Sequence, residues 1–399
     1  MKILLINSVC GVGSTGKICT DIARIAKKKG HECKIAFGRG QAKGWDDVYK
    51  IESSLGNKLH FLKSKFFDSH GLGSTVATKK FIKFIKEYNP DVIHLHNIHG
   101  YYLNYKILFE FLKNYQGKII WTMHDLWPVT GHCACSFDCT KWQSGCEKCP
   151  LKNDYPSALV DNSKRNYKLK KQLFTSLDNL TIITPSNWLA GEFRKSFLNK
   201  FEIKVINNGI DISVFNPEES DFKKNHNLQN KKIILGVSSV WLKRKGFDDF
   251  IKLSKLINDD FRIVLVGVSK KQQKNLPENI LAIEKTENQK QLAEIYTAAD
   301  VFVNFTYSDI SSMVNMEALA CGTPVICYMT GGAVEMLSDD VGVVINQNNV
   351  ERAWEIIQKL TKTKELSNAC VHKAQSFDKN KKFKEYIEEY EKAKNLHNK

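Results

Sequence analysis

The sequence predicts an α/β protein made of two doubly wound, parallel-sheet domains. Three observations carry this. Short apolar runs of strand length alternate with helical patterns along nearly the whole chain. The alternation restarts after Asn207-Asn208-Gly209, and a chain of 399 residues has room for two such blocks. A glycine-rich turn, Gly11-Val12-Gly13-Ser14-Thr15-Gly16, separates the first apolar run from the first helical pattern.

In chain order, residues 2–7 read as a buried first strand rather than a secretion leader, because Asn7 interrupts the run and no small-residue cleavage site follows. A helix over 18–29 ends at Gly30. Strands follow at 33–37, 91–96 (after Pro90), 118–123 and 180–184. The second block has strands at 232–237, 261–266, 301–305 and 324–327, with helices such as 247–257 and 289–299 between them. Right-handed crossovers would make each block a parallel sheet covered by helices. The expected domains are 1–205, with a Cys-rich insertion at 131–150, and 206–372. A final helix in 373–399 would return to the first domain through the stripe Phe383, Tyr386, Ile387 and Tyr390.

Composition excludes several classes. Hydrophobic residues make up 42% and charged residues 26%, so the chain is not disordered, and no apolar stretch is long enough to cross a membrane as a helix. The net charge of +16 raises nucleic-acid binding. But the excess comes from 52 Lys against 7 Arg, and base readout favours Arg, so no nucleic-acid partner is expected. An anionic membrane surface fits the charge better. The 11 cysteines are odd in number and five fall between Cys133 and Cys149, which suits a reduced cytosolic protein rather than a disulfide scaffold. Cys133, Cys139, Cys146 and Cys149 have a spacing that resembles four zinc-binding thiolates. A structural zinc is therefore expected there, with redox-active or incidental thiols as the alternative.

Several motifs bear on chemistry. Gly11 to Lys17 nearly matches a phosphate loop, but Ile18 stands where a metal-binding hydroxyl belongs. The alternative function, a nucleotide-binding ATPase using Gly11–Lys17, rests on this match. The preferred reading makes Gly13, Ser14 and Gly16 part of a cleft floor. Arg244-Lys245-Gly246 puts two cations where a diphosphate could sit. Asp309 and Glu317 stand eight residues apart, with Asp309 expected in a loop and Glu317 in the next helix. The backbone N–H groups of Ser312, Met313 and Val314 would then face an anion. His94, His96 and His99 cluster near Asn97, and His124-Asp125 ends a later strand. All are read as cleft-lining hydrogen-bonding groups. Segment 58–86 interleaves Phe61, Phe66, Phe67, Phe81 and Phe84 with Lys58, Lys63, Lys65, Lys79, Lys80, Lys83 and Lys86. It reads either as a surface for anionic lipid or as amphipathic helices with their Phe in the core.

The string Asp309–Glu317, continued by Gly322-Thr323-Pro324-Val325 and Gly331-Gly332-Ala333-Val334-Glu335, resembles the acid-x7-acid signature of retaining glycosyltransferases of family 4. Pro185-Ser186-Asn187-Trp188-Leu189, Asn207-Asn208-Gly209-Ile210-Asp211 and Lys245-Gly246 resemble that family's other landmarks, in order. Residues 91–104 and 121–128 are similar to a bacterial subgroup making capsule, O-antigen and colanic-acid-type polysaccharides. The resemblance implies the GT-B fold, two Rossmann-like domains facing across a cleft. It implies a nucleoside-diphosphate sugar donor in the second domain, with Glu317 on the ribose. Lys245 and the Ser312–Val314 amides would bind the phosphates, and Asp309 the donor sugar. The first domain would bind a saccharide acceptor, lipid-linked in such pathways, near His96 and Asn97, and His124 matches the family's active-site histidine. Catalysis would need no cofactor, and the enzyme would be cytoplasmic and peripheral at the inner membrane face. Two positions depart from the family: Asp309 stands where Glu is common, and Val240 where Arg is common, with Arg244 the candidate to supply that charge.

Overall fold

A computed structural model describes residues 1–392. The chain divides into two compact units, Met1–Asn207 with Lys382–Lys399, and Asn208–Lys381. Each is built on one parallel sheet.

In the first unit the strands are β1 (Lys2–Asn7), β2 (Glu32–Phe37), β3 (Val48–Lys50), β4 (Val92–Leu95), β5 (Lys118–Thr122), β6 (Leu180–Thr184) and β7 (Glu202–Val205). Their order is β3-β2-β1-β4-β5-β6-β7, with β1 paired to both β2 and β4, so the order reverses between β1 and β4. The second unit has β8 (Lys232–Val237), β9 (Phe261–Val266), β10 (Ile280–Ile283), β11 (Val301–Asn304), β12 (Val325–Tyr328) and β13 (Gly342–Ile345), ordered β10-β9-β8-β11-β12-β13. Its reversal falls between β8 and β11. In doubly wound sheets ligands bind beyond the carboxyl ends of strands at such reversals.

The apolar runs are continuous because both sheet faces are covered. In the second unit Ile233, Leu235, Val264 and Phe302 enter one core, while their neighbours Ile234, Ile263, Leu265 and Val303 enter another. In the first unit the helix α1 (Gly13–Lys28) buries Ile18, Cys19, Ile22 and Ala26 against β1 and β2. Next come α2 (Ser54–Phe67) and α3 (Thr75–Tyr88).

The terminal helix Lys379–Lys392 places Phe383, Tyr386, Ile387 and Tyr390 in the same first-unit core as α1. The i, i+3, i+4, i+7 spacing puts all four on one face, and each such burial contributes about 1.5–3 kcal/mol. Residues 393–399 of the expected terminal segment lie outside the described residues.

Candidate functional site

In the second unit the site grows from the loops after β8 and β11. The turn Lys243–Lys245 ends at Gly246, whose φ is +74°. A Cβ on Gly246 would lie 2.3 Å from the Phe305 carbonyl oxygen, so only glycine lets this turn rest on the end of β11. The Tyr307 N–H donates to the Arg244 carbonyl at 2.8 Å and ties the two loops together. Lys245 Nζ thereby comes 3.4 Å from Asp309 Oδ2, both side chains being mostly buried. The Arg244 side chain is exposed at the surface, as is Val240, so of the two expected cations Lys245 alone meets the carboxylate.

The helix Met313–Ala320 follows. Its N-cap, Ser312, makes no side-chain cap, and the first turn carries no acid. An uncapped helix start presents N–H groups and the positive end of the helix dipole, which favours an anion. A buried amide network fixes its position. Asn304, the last residue of β11, donates from Nδ2 to Ser312 Oγ (3.0 Å) and Asn315 Oδ1 (2.8 Å), and Asn315 donates to the Ala333 carbonyl (3.2 Å). The Gly332 N–H donates to the Asp309 carbonyl at 3.1 Å, bringing the glycine pair against the same loop. Glu317 stands one turn into the helix and accepts from the Tyr296 hydroxyl at 3.2 Å. Lys245 and Asp309 therefore meet in the loops before the helix start at Ser312, Met313 and Val314, and Glu317 follows one turn further along that helix. Sequence reasoning missed Asn304 and Tyr296. Asn304 was readable in principle, as a polar residue closing an apolar strand.

In the first unit the glycine-rich turn folds on itself. Gly11 has φ +66°, its N–H donates to the Gly16 carbonyl (3.0 Å), and a Cβ there would collide with Lys43. Gly13 and Ser14 are exposed at the start of α1, Gly16 is buried, and Lys17 is exposed. Across the strand-order reversal, Asn7 Oδ1 accepts the Asn97 N–H at 3.3 Å.

A small pocket beyond β4 and β5 is lined by His96, Asn97, His99, His124, Asp125 and Trp127, among others. His96 Nδ1 and His124 Nε2 share a hydrogen bond of 3.0 Å. Asp125 is expected beside His124 but pairs with His99 instead, at 2.8 Å, with the Trp127 N–H on its other oxygen. Burial alone would raise the Asp125 carboxyl. The charge and hydrogen bond of His99, with the Trp127 amide and His124, hold it below its usual range. Burial pushes His124 down to about 4 and His96 well below its ordinary value. These imidazoles are neutral at pH 7. His96 Nε2 and His99 Nδ1 are buried without a partner.

His94 does not join this lining. It is buried between the Tyr390 hydroxyl (2.6 Å) and Thr122 Oγ1 (2.8 Å), and it fastens the terminal helix to the sheet.

The four cysteines expected to bind zinc are free thiols. Among the described residues no three His, Cys, Asp or Glu side chains are grouped to hold a metal ion. Instead Cys133 and Cys149 hydrogen-bond to each other, which lowers Cys149 to about 7 and raises Cys133. Cys146 accepts the Gly131 N–H at 3.2 Å. Cys139 is only partly buried.

Comparison with known proteins is consistent across the chain. The family described as Glycosyltransferase Family 4 matches residues 15–214, and Glycosyl transferases group 1 matches residues 218–377. Escherichia coli (strain K12) WcaC, described as a colanic acid biosynthesis glycosyl transferase, is 25% identical over 365 residues, 88% of each chain. A GDP-mannose-dependent monoacylated alpha-(1-6)-phosphatidylinositol monomannoside mannosyltransferase of Corynebacterium glutamicum is 24% identical over 210 residues, 48% of this chain and 54% of that one. Among solved structures, sucrose-phosphate synthase of Thermosynechococcus elongatus superposes with a TM-score of 0.72 at 16% identity, covering 98% of this chain and 99% of that one. Anabaena HepE in complex with UDP superposes with a TM-score of 0.70 at 16% identity, covering 98% and 100%. These neighbours share the two-domain GT-B fold. None of the comparisons supports the ATP-hydrolysing alternative.

Proposed function

The chain belongs to glycosyltransferase family 4, and from that premise we propose that it is a retaining enzyme that moves a sugar from a nucleoside diphosphate to a saccharide acceptor. One observation carries the donor reading: Lys245 lies 3.4 Å from Asp309 beside the uncapped start of the helix that holds Glu317. The diphosphate takes Lys245 and the Ser312–Val314 amides, and Glu317 takes the ribose hydroxyls. Asp309 turns to the donor sugar. The complexes of HepE with UDP and with UDP-glucose support a nucleotide-sugar donor.

In the transfer, the bond from the anomeric carbon to the diphosphate oxygen breaks. The acceptor hydroxyl oxygen bonds to that carbon from the same face, and its proton passes to the departing phosphate oxygen. Lys245 and the helix N-terminus stabilise the negative charge that develops there, so the reading asks for no divalent metal in catalysis. His124 serves as a neutral hydrogen-bonding group. His96, Asn97 and the turn with Gly13, Ser14 and Gly16 belong to the acceptor side.

We place the work in bacterial surface-polysaccharide synthesis, with a lipid-linked acceptor at the inner face of the membrane. The resemblance to WcaC supports the pathway, and a relative whose substrate is a phosphatidylinositol mannoside supports the lipid. Among the described residues no helix is long and apolar enough to cross a membrane, so the association is peripheral in this reading.

A panel of UDP- and GDP-sugars tests the proposal. The cognate donor should raise the melting temperature and be hydrolysed slowly without acceptor. Failure of every nucleotide sugar to do either would sink the donor reading.

A further inference from the structure

The helix α2 is built inside out. At about 100° per residue, Leu55, Leu59, Leu62 and Phe66 fall within roughly 60° of arc. These four side chains are 46% to 68% exposed, while His60 and Ser64, on the opposite side, are each 2% exposed. A helix that packs on a core turns its apolar side inward; α2 does the reverse. Tertiary contacts hold it that way. His60 Nε2 accepts the Gly73 N–H at 3.0 Å, and His60 Nδ1 meets Ser74 Oγ at 2.9 Å. A Cβ on Gly73 would lie 2.4 Å from the His60 ring, so glycine admits the imidazole. Burial pushes His60 down to about 4, which keeps it neutral in that seat. The Phe residues of the segment separate accordingly: Phe81 of α3 is buried, whereas Phe61, Phe66 and Phe67 are exposed.

The apolar surface continues past the end of α2. The Leu159 N–H donates to the Lys65 carbonyl at 2.8 Å, and Asn162 Nδ2 to the Phe67 carbonyl at 3.0 Å. Exposed Leu159 and Val160 thereby lie beside the last turn. An exposed apolar surface of this extent marks a docking face.

Charge selects the occupant. α2 contains three lysines and no acid. Lys58 and Lys65 flank the stripe on one side and Lys63 on the other, by the same helical arithmetic. A second copy seated about a twofold axis would set lysine against lysine with no carboxylate on the helix to answer them. An anionic bilayer offers acyl chains to the stripe and negative headgroups to its borders.

We propose that α2 lies in the interface of an anionic membrane, with Leu55, Leu59, Leu62 and Phe66 inserted and Lys58, Lys63 and Lys65 at the headgroups. This rests on the proposed function only in taking a membrane as the workplace, and its test does not pass through catalysis. The full chain is sedimented with vesicles of phosphatidylglycerol and phosphatidylcholine, and with phosphatidylcholine alone. Wild type should bind the anionic vesicles and not the neutral ones. The variant L59S/L62S/F66S should bind about tenfold more weakly or less, since insertion scales with buried apolar area. K58E/K63E should lose binding similarly. Both variants should keep the wild-type melting temperature, because the replaced side chains are exposed.

Wild-type-like binding by the triple serine variant would overturn the proposal. So would a wild-type dimer in analytical ultracentrifugation that the variant dissolves, without vesicle binding by either. Vesicle binding as described, in a chain that neither binds nor hydrolyses any nucleotide sugar, would uphold this inference and defeat the donor reading.

Discussion

The two units both place polar groups beyond the carboxyl ends of central strands and give them different electrostatics. Beyond β8 and β11 the groups are charged and partly solvated: Lys245 against Asp309, with an uncapped helix start beside them. Beyond β4 and β5 they are buried: His96 is bonded to His124, both kept neutral by burial, and the Asp125 carboxylate is taken up by His99. On the proposed function, the difference would let one fold serve two tasks through solvation. An anion needs fixed positive charge with some access to water, whereas a neutral hydroxyl needs hydrogen-bonding partners that carry no charge.

The charged site should be the more sensitive to loss of a single side chain. Lys245→Ala should lower the rate of donor hydrolysis by about 10²–10³-fold, the scale of removing one preorganised group from developing charge. Steady-state hydrolysis of the cognate donor measures it. A loss of only a few fold would transfer the task to Arg244 or the helix amides and erase the contrast between the units.

The neutral site should respond next. His124→Ala should reduce acceptor-dependent turnover by roughly 10²-fold, the low end for a positioned polar group in proton transfer. Asp125→Asn should have a smaller effect, because Asp125 holds His99 and not His124. Equal losses in the two variants would mean that the pocket acts as one unit, and turnover measured on both distinguishes the cases.

The smallest effect is on stability against pH. His60 and His124 both have folded values near 4, lowered first of all by burial, against an ordinary value of 6.5. Between these limits the unfolded chain binds protons that the folded chain refuses, so stability falls as pH drops from about 6.5 to about 4. Melting temperature followed through that window should decline, and the decline should be shallower in His60→Gln.

The sequence by itself determined the central strands and the charged site. β1, β2, β4, β5, β6, β8, β9, β11 and β12 are legible as apolar runs because both faces of each sheet are covered. The charged site is legible because its members are close in the chain or fixed by glycine, as Lys245 is by Gly246. Only the tertiary structure decided the rest. β3, β7, β10 and β13 escape a reading of the sequence, and all four are edge strands, three or four residues long and partly exposed. The pairing of His96 with His124 and of His99 with Asp125 joins residues 28 and 26 positions apart, a choice that the register of β4 on β5 makes. The outward turn of α2 depends on His60 finding Gly73 and Ser74, 13 and 14 residues away. Periodicity reports that a helix has an apolar face, but which way that face points is set by the hydrogen bonds of the opposite side.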